Sequence, residues 1–163
     1  MKADAQVTKA ETLSGLAEAR RQILEAVSAL QPGEGDIVFL GAWSVKDLLS
    51  HLAGWDYANL EAAQAVLAGR LPAFYAHMDR DWKTYNALLV AKYKLDDLGE
   101  LVASVRASRQ ELVDFLEGVP TEQFDKDMGV RASGYKVTIA RLLKAETRDE
   151  RVHAGQIREY FSK

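Results

Sequence analysis

The chain contains no cysteine in 163 residues. This excludes disulfides, thiolate metal sites and a catalytic thiol together, and leaves histidine and carboxylate as the side chains able to ligate a transition metal. Histidine is scarce too, with only His51, His77 and His153. Three prolines and eleven glycines are too few for a turn-rich all-β domain, which needs a break roughly every ten residues. Neither sign of charge is in marked excess: 21 basic side chains stand against 24 acidic ones, for a net charge of -3. The basic residues are scattered, Arg20 with Arg21 being the densest pair, so neither nucleic acid nor an anionic membrane surface is expected as a partner. There is no run of about 18 apolar residues to span a bilayer, and the stretch from Met1 to Thr8 lacks the apolar core of a signal peptide. A cytoplasmic protein follows, monomeric or a small oligomer. The 48% hydrophobic and 28% charged content fits one soluble domain over residues 1–163.

What is present is helical periodicity. Thr8 and Glu11 have capping-box spacing, and Leu13, Leu16, Ile23, Leu24, Val27 and Leu30 recur behind them until Gln31-Pro32-Gly33, which predicts a helix from about Lys9 to Leu30. Glu34 to Ala42 contains Ile37 to Leu40, apolar enough for a short strand but too short and isolated to form a sheet, and is expected as an apolar linker over the bundle end. Ser44 and Asp47 form a second capping box, followed by Leu48, Leu49, Leu52, Trp55, Leu60, Ala63 and Leu67 before Gly69. A shorter helix is expected from Asp79 to Lys94, with Trp82, Tyr85 and Leu89 inward. Asp96 and Asp97 open a third long helix that Gly118 and Pro120 stop. Gly129 to Gly134 is expected as a loop, and a last helix from about Lys136 to Phe161 buries Val137, Ile139, Leu143, Val152 and Ile157. The fold class is therefore all-α, a four-helix bundle with one short additional helix.

Chemistry concentrates on two helices. Asp149 and His153 are four apart and share a face within about 5–6 Å at their β carbons, and Glu146 lies on nearly the same stripe. His51 sits between Leu48 and Trp55 on a buried face. If the bundle brings these stripes together, His51, Asp149 and His153 supply three metal ligands and leave a position open for water, with Glu146 the alternative third ligand. Asp149-Glu150-x-x-His153 is also a zincin-like H-E-x-x-H with its first histidine replaced. No other zincin feature is present, and Glu150 is expected to be a solvated surface acid. Asp47 could orient His51, although its capping role already accounts for it. His77 is expected in a loop, at a pocket rim or on the surface, and the aromatics Trp55, Tyr57, Trp82 and Tyr85 are expected as core residues, some able to line a pocket. P-loop, dinucleotide and serine-hydrolase signatures are all absent.

The run Gly41-Ala-Trp-Ser-Val-Lys-Asp-Leu-Leu-Ser-His51-Leu-Ala-Gly-Trp55 resembles the DinB-like superfamily, closest to its DfsB-type four-helix bundle proteins. The early Thr8-Lys-Ala-Glu11, the Trp82-Lys-Thr-Tyr-Asn86 segment and Asp149-x-x-x-His153-Ala-Gly-Gln-Ile-Arg158-Glu-Tyr carry the likeness along the chain. The resemblance implies a bundle, often dimeric, holding a divalent ion such as zinc, nickel or manganese by one residue of the second helix and two residues four apart on the last. His51 and His153 match two of these positions, while Asp149 stands where histidine is typical. The family includes transferases and isomerases that use low-molecular-weight thiols, and a protein that disarms a genotoxin. In a chain without cysteine, such a thiol must come from outside. Three functions follow as expectations: a metal-dependent transferase or hydrolase acting on a small molecule, a binding protein that sequesters one, or a bundle used for assembly.

Overall fold

Capping chemistry sets where the helices begin. Ser44 accepts a hydrogen bond from the Asp47 amide while the Asp47 carboxylate accepts from the Ser44 amide, so the capping box read in the sequence starts the helix Val45–Leu67. The Asp97 side chain accepts from the Glu100 amide and starts Leu98–Glu117, and Thr138 accepts from the Arg141 amide and starts Ile139–Phe161. The computed structural model describes residues 2–79 and 82–162, with side chains from Thr8 onward. In chain order its helices are α1 (Lys2–Ser28), α2 (Val45–Leu67), α3 (Lys83–Tyr93), α4 (Leu98–Glu117) and α5 (Ile139–Phe161). Helices α1, α2, α4 and α5 form the bundle, α1 lying along α5 and α2 along α4, while α3 packs on the flank of α2. Among the described residues no helix is long and apolar enough to cross a membrane.

Several boundaries differ from the sequence expectations. Helix α1 begins at Lys2, so Thr8 lies inside it and is not its cap; the Thr12 hydroxyl donates to the Thr8 carbonyl within the helix. Lys9 instead reaches across to the carbonyls of Glu117 and Val119 at the end of α4. The expected linker over the bundle end contains strand β1 (Val38–Leu40), paired antiparallel with β2 (Trp43–Ser44) around Gly41, whose φ of 59° suits glycine. The loop expected from Gly129 to Gly134 is a small hairpin of β3 (Arg131–Ala132) and β4 (Tyr135–Lys136), which places Lys136 in a strand and delays the last helix to Ile139. The short helix expected from Asp79 begins at Lys83, and positions 80 and 81 of that expectation lie outside the described residues. Val152, expected inside, is 54% exposed.

The core is divided by a layer of charge. One apolar cluster contains Ile23, Val27, Leu48, Leu52, Leu101, Val105 and Ile157. The other contains Leu16, Val66, Leu112, Leu116, Phe124, Ile139 and Leu143. Between them, Arg20 of α1 donates to Asp56 of α2 and to Glu150 of α5. Arg109 of α4 donates to the same two carboxylates, at 2.8 Å to Asp56 and 2.7 Å to Glu150. Ser108 adds a bond of 2.6 Å to Asp56, and the guanidiniums also reach the carbonyls of Val105 and Leu16. Glu150, expected as a surface acid, is therefore completely buried, because two cations on other helices hold it there. Two positive and two negative charges from all four bundle helices balance within one layer.

On the flank, Gly54 lets α3 approach closely: a β carbon there would lie 2.8 Å from the Leu89 β carbon, so any other residue would push α3 outward.

Removing one cation from the layer strands a buried carboxylate. Arg109→Leu is expected to lower unfolding stability by about 3–5 kcal/mol in urea denaturation. Arg21→Ala, which removes exposed pairs with Glu18 and Glu25, is expected to cost less than about 1 kcal/mol.

Candidate functional site

Against the charged layer lies a cavity of about 400 Å³, between α2, α5 and the segment that leads into α3. One wall is aromatic. Trp55 packs edge-on against Phe74 at 5.2 Å and Trp82 at 6.2 Å, and Phe74 stacks on Tyr75 at 4.5 Å. The opposite wall is α5, presenting Arg141, Leu142, Ala145, Glu146, Asp149, Glu150, Val152 and His153.

His51 and His153 meet at one end. Their ring centroids are 5.5 Å apart and nearly perpendicular, and Trp43 covers the other side of the His51 ring at 4.8 Å. His51 is only 8% exposed, and its Nδ1 has no hydrogen-bond partner. Burial above all, with the His153 charge adding to it and the Asn86 side chain opposing, pushes the His51 imidazolium down to about 3. It is a neutral ring at any physiological pH. Asn86 also accepts from Trp55 Nε1 at 2.7 Å, so α3 braces both the aromatic wall and the histidine. His153 is fixed differently. Its Nδ1 is 2.8 Å from Oε1 of Gln156; that oxygen only accepts, so Nδ1 is the donor of this bond.

The carboxylates fall into three environments. Asp149 lines the cavity, but its side chain is 65% exposed and lies 3.6 Å from Arg148. Glu150 is committed to Arg20 and Arg109. Glu146 is half-buried on the cavity wall beside that saturated layer, and burial first, then the negative charge of Glu150, push its carboxyl up to about 8 despite Arg109. This favours its protonated form.

The structure thus brings His51 and His153 together and leaves Asp149 a helical turn away at the rim. Among the described residues, no three of the His, Asp and Glu side chains stand together as a ready cation site. Two donor nitrogens suit a metal; the third ligand would require Asp149 or Glu146 to turn inward. His77 lies at the exposed end of a short 3-10 helix, Ala73–His77, against Tyr85. Sequence reasoning missed Asn59, which is buried in the cavity wall with Nδ2 unpartnered. It missed Asn86 as well. The signal for Asn59 was present, since it lies on the buried face of α2 together with Leu52 and Ala63.

Two solved structures share the fold. One is an uncharacterised protein from Escherichia coli UTI89, 18% identical, with a TM-score of 0.72 over 93% of this chain and 91% of that one. The other is the colibactin self-resistance protein ClbS in complex with double-stranded DNA, 17% identical, with a TM-score of 0.76 over 95% of each chain. A comparison with curated proteins finds no match. The ClbS complex corrects the expectation that nucleic acid is excluded as a partner. Net charge sums over the whole surface, whereas phosphates meet a local face. Here Arg141, Lys144, Arg148, Arg151 and Arg158 recur at spacings of three, four and seven on the exposed side of α5. The sequence pattern of the DinB superfamily matches residues 15–157, a span that reaches all four bundle helices and includes His51 and His153, and the chain belongs to that superfamily.

Proposed function

We propose that this protein binds a small, largely apolar molecule in the aromatic cavity and transfers a proton to it, acting as a hydrolase or transferase with water or an external thiol as nucleophile. The observation that carries this reading is the pair of opposed groups in one cavity: a carboxyl raised to about 8 at Glu146 and an imidazole lowered to about 3 at His51. A raised carboxyl suits a proton donor at neutral pH, while His51, too weak a base to take a proton there, stays a neutral ring able to accept a hydrogen bond. The absence of cysteine supports a nucleophile from solution. The Trp43-Ser-x-x-Asp47-x-x-x-His51-x-x-x-Trp55 run supports placing the chain in the DfsB-type branch. The self-resistance role of ClbS supports a small reactive molecule as substrate.

A divalent cation held by His51 and His153, with Asp149 as third ligand, is a further part of this proposal. It is favoured by the unpartnered Nδ1 of His51 and by the His153 ring 5.5 Å away. Such an ion would supply Lewis acidity to a bound water or thiol. Duplex DNA is a second reading of partner, favoured by the five exposed cations on α5 and by the ClbS complex.

Three outcomes are expected. In a screen of aryl amides and esters, at least one is turned over at a rate that falls as pH rises through about 8 and drops on the order of a hundredfold in Glu146→Gln; turnover unaffected by that change would contradict the proton-donor role. Elemental analysis of untagged protein should find a divalent metal that is lost in His51→Ala, and equal metal in both would remove the cation. Fluorescence anisotropy with a short labelled duplex should show affinity falling with salt, and Arg148→Ala with Arg151→Ala should reduce the salt slope by about two. An unchanged slope would remove the DNA reading.

A further inference from the structure

The cavity has a second polar end, which the proton-transfer reading does not use. Helices α2 and α5 run antiparallel through it: His51 meets His153, and Asp56, further along α2, shares its arginine partners with Glu150, further back on α5. Continuing in that direction, Asn59 lies on α2 about 12 Å along the axis from His51, and Arg141 lies on α5 about 18 Å from His153, at 1.5 Å per residue. Arg141 is joined at this end by Lys136 of β4, and both line the cavity.

The charges at this end are not offset. Among the described residues neither Lys136 nor Arg141 forms an ion pair. Lys136 lies near enough to Asp127 to help lower it, but that carboxylate is already held by two bonds from Arg131. Of the three acids on the wall, Glu150 is bound by Arg20 and Arg109, Glu146 sits beside that layer, and Asp149 is at the opposite end beside Arg148. Between the ends, nearer the cationic one, Asn59 is 3% exposed and its Nδ2 donor has no partner. A buried donor left unsatisfied costs about 1–3 kcal/mol, a cost that a carbonyl oxygen on a ligand would remove.

We propose that the ligand of this cavity is an elongated organic anion with a flat apolar body and a carbonyl acceptor. Its anionic group rests on Lys136 and Arg141, its carbonyl accepts from Asn59, its body lies against Trp55, Phe74 and Trp82, and its far end faces His51 and His153. This assignment rests on the cavity being the ligand site and adds the class of molecule and its direction. The lengthwise order of groups makes the cationic end an anchor that selects the ligand and turns its far end toward the histidines.

The test uses N-(2-naphthoyl)glycine, which carries a flat ring, an amide and a carboxylate in sequence, and its uncharged methyl ester. Binding is followed by quenching of tryptophan emission from the cavity wall. The acid is expected to bind at least about tenfold more tightly than the ester, a difference of about 1.4 kcal/mol. Lys136→Ala with Arg141→Ala, both at exposed positions, should abolish that preference and leave the ester unchanged. Asn59→Leu should weaken both probes by a common factor and preserve their ratio. Equal affinity for acid and ester, or a preference that survives the double substitution, would overturn this inference while leaving the cavity as a ligand site. Binding of neither probe would overturn both.

Discussion

Four charges in the middle of the bundle set the terms for everything around them. Arg20 and Arg109 are each shared between Asp56 and Glu150, and each bundle helix contributes one of the four. Such a layer tolerates little displacement: sliding any helix by one turn would bury an unpaired charge, which is far more costly than exposing an apolar side chain. It therefore fixes helix register in a way that the two apolar clusters above and below it, being non-directional, do not. A buried ion layer is weak evidence for stability but good evidence for specificity of packing.

The same layer shapes the chemistry beside it. Its two guanidiniums are fully taken by two carboxylates, so Glu146, on the same helix as Glu150 and next to it in space, is the third acid for two cations and keeps its proton. Further along the wall, His51 is buried among Trp43, Trp55 and His153, which favours its neutral form. Burial acts in opposite senses on an acid and a base, and a single cavity thus holds a donor and an acceptor both in their uncharged forms. The helix α3, admitted close to α2 by Gly54, completes the arrangement by placing Asn86 between Trp55 and the histidine.

Much of this was legible in the sequence. The Ser44–Asp47 capping box, the stops at Gly118 and Pro120 and the pairing of His51 with His153 follow from local spacing and from the DinB resemblance. The charged layer was not read, because Arg20, Asp56, Arg109 and Glu150 are far apart in the chain and each, taken alone, resembles a surface residue. The signal lay in their phase: Arg20 stands between Leu16 and Ile23, Arg109 between Val105 and Leu112, and Asp56 between Leu52 and Ala63, each where the apolar stripe calls for a hydrophobic residue. Glu150 was misread for the same reason, since its partners lie on α1 and α4. The two small hairpins were not expected, because strands of two or three residues are too short to show a periodicity. The basic face of α5 escaped because residues three and four apart look scattered until they are wound on a helix.

The central claim is that this layer leaves a neutral carboxylic acid in the cavity wall. Infrared difference spectroscopy at pH 7, wild type minus Glu146→Gln, tests it most directly. The account predicts the carbonyl stretch of a protonated carboxylic acid in the wild type, absent from the variant and replaced by a carboxylate band only above about pH 8. A carboxylate band already present at pH 7 would contradict it.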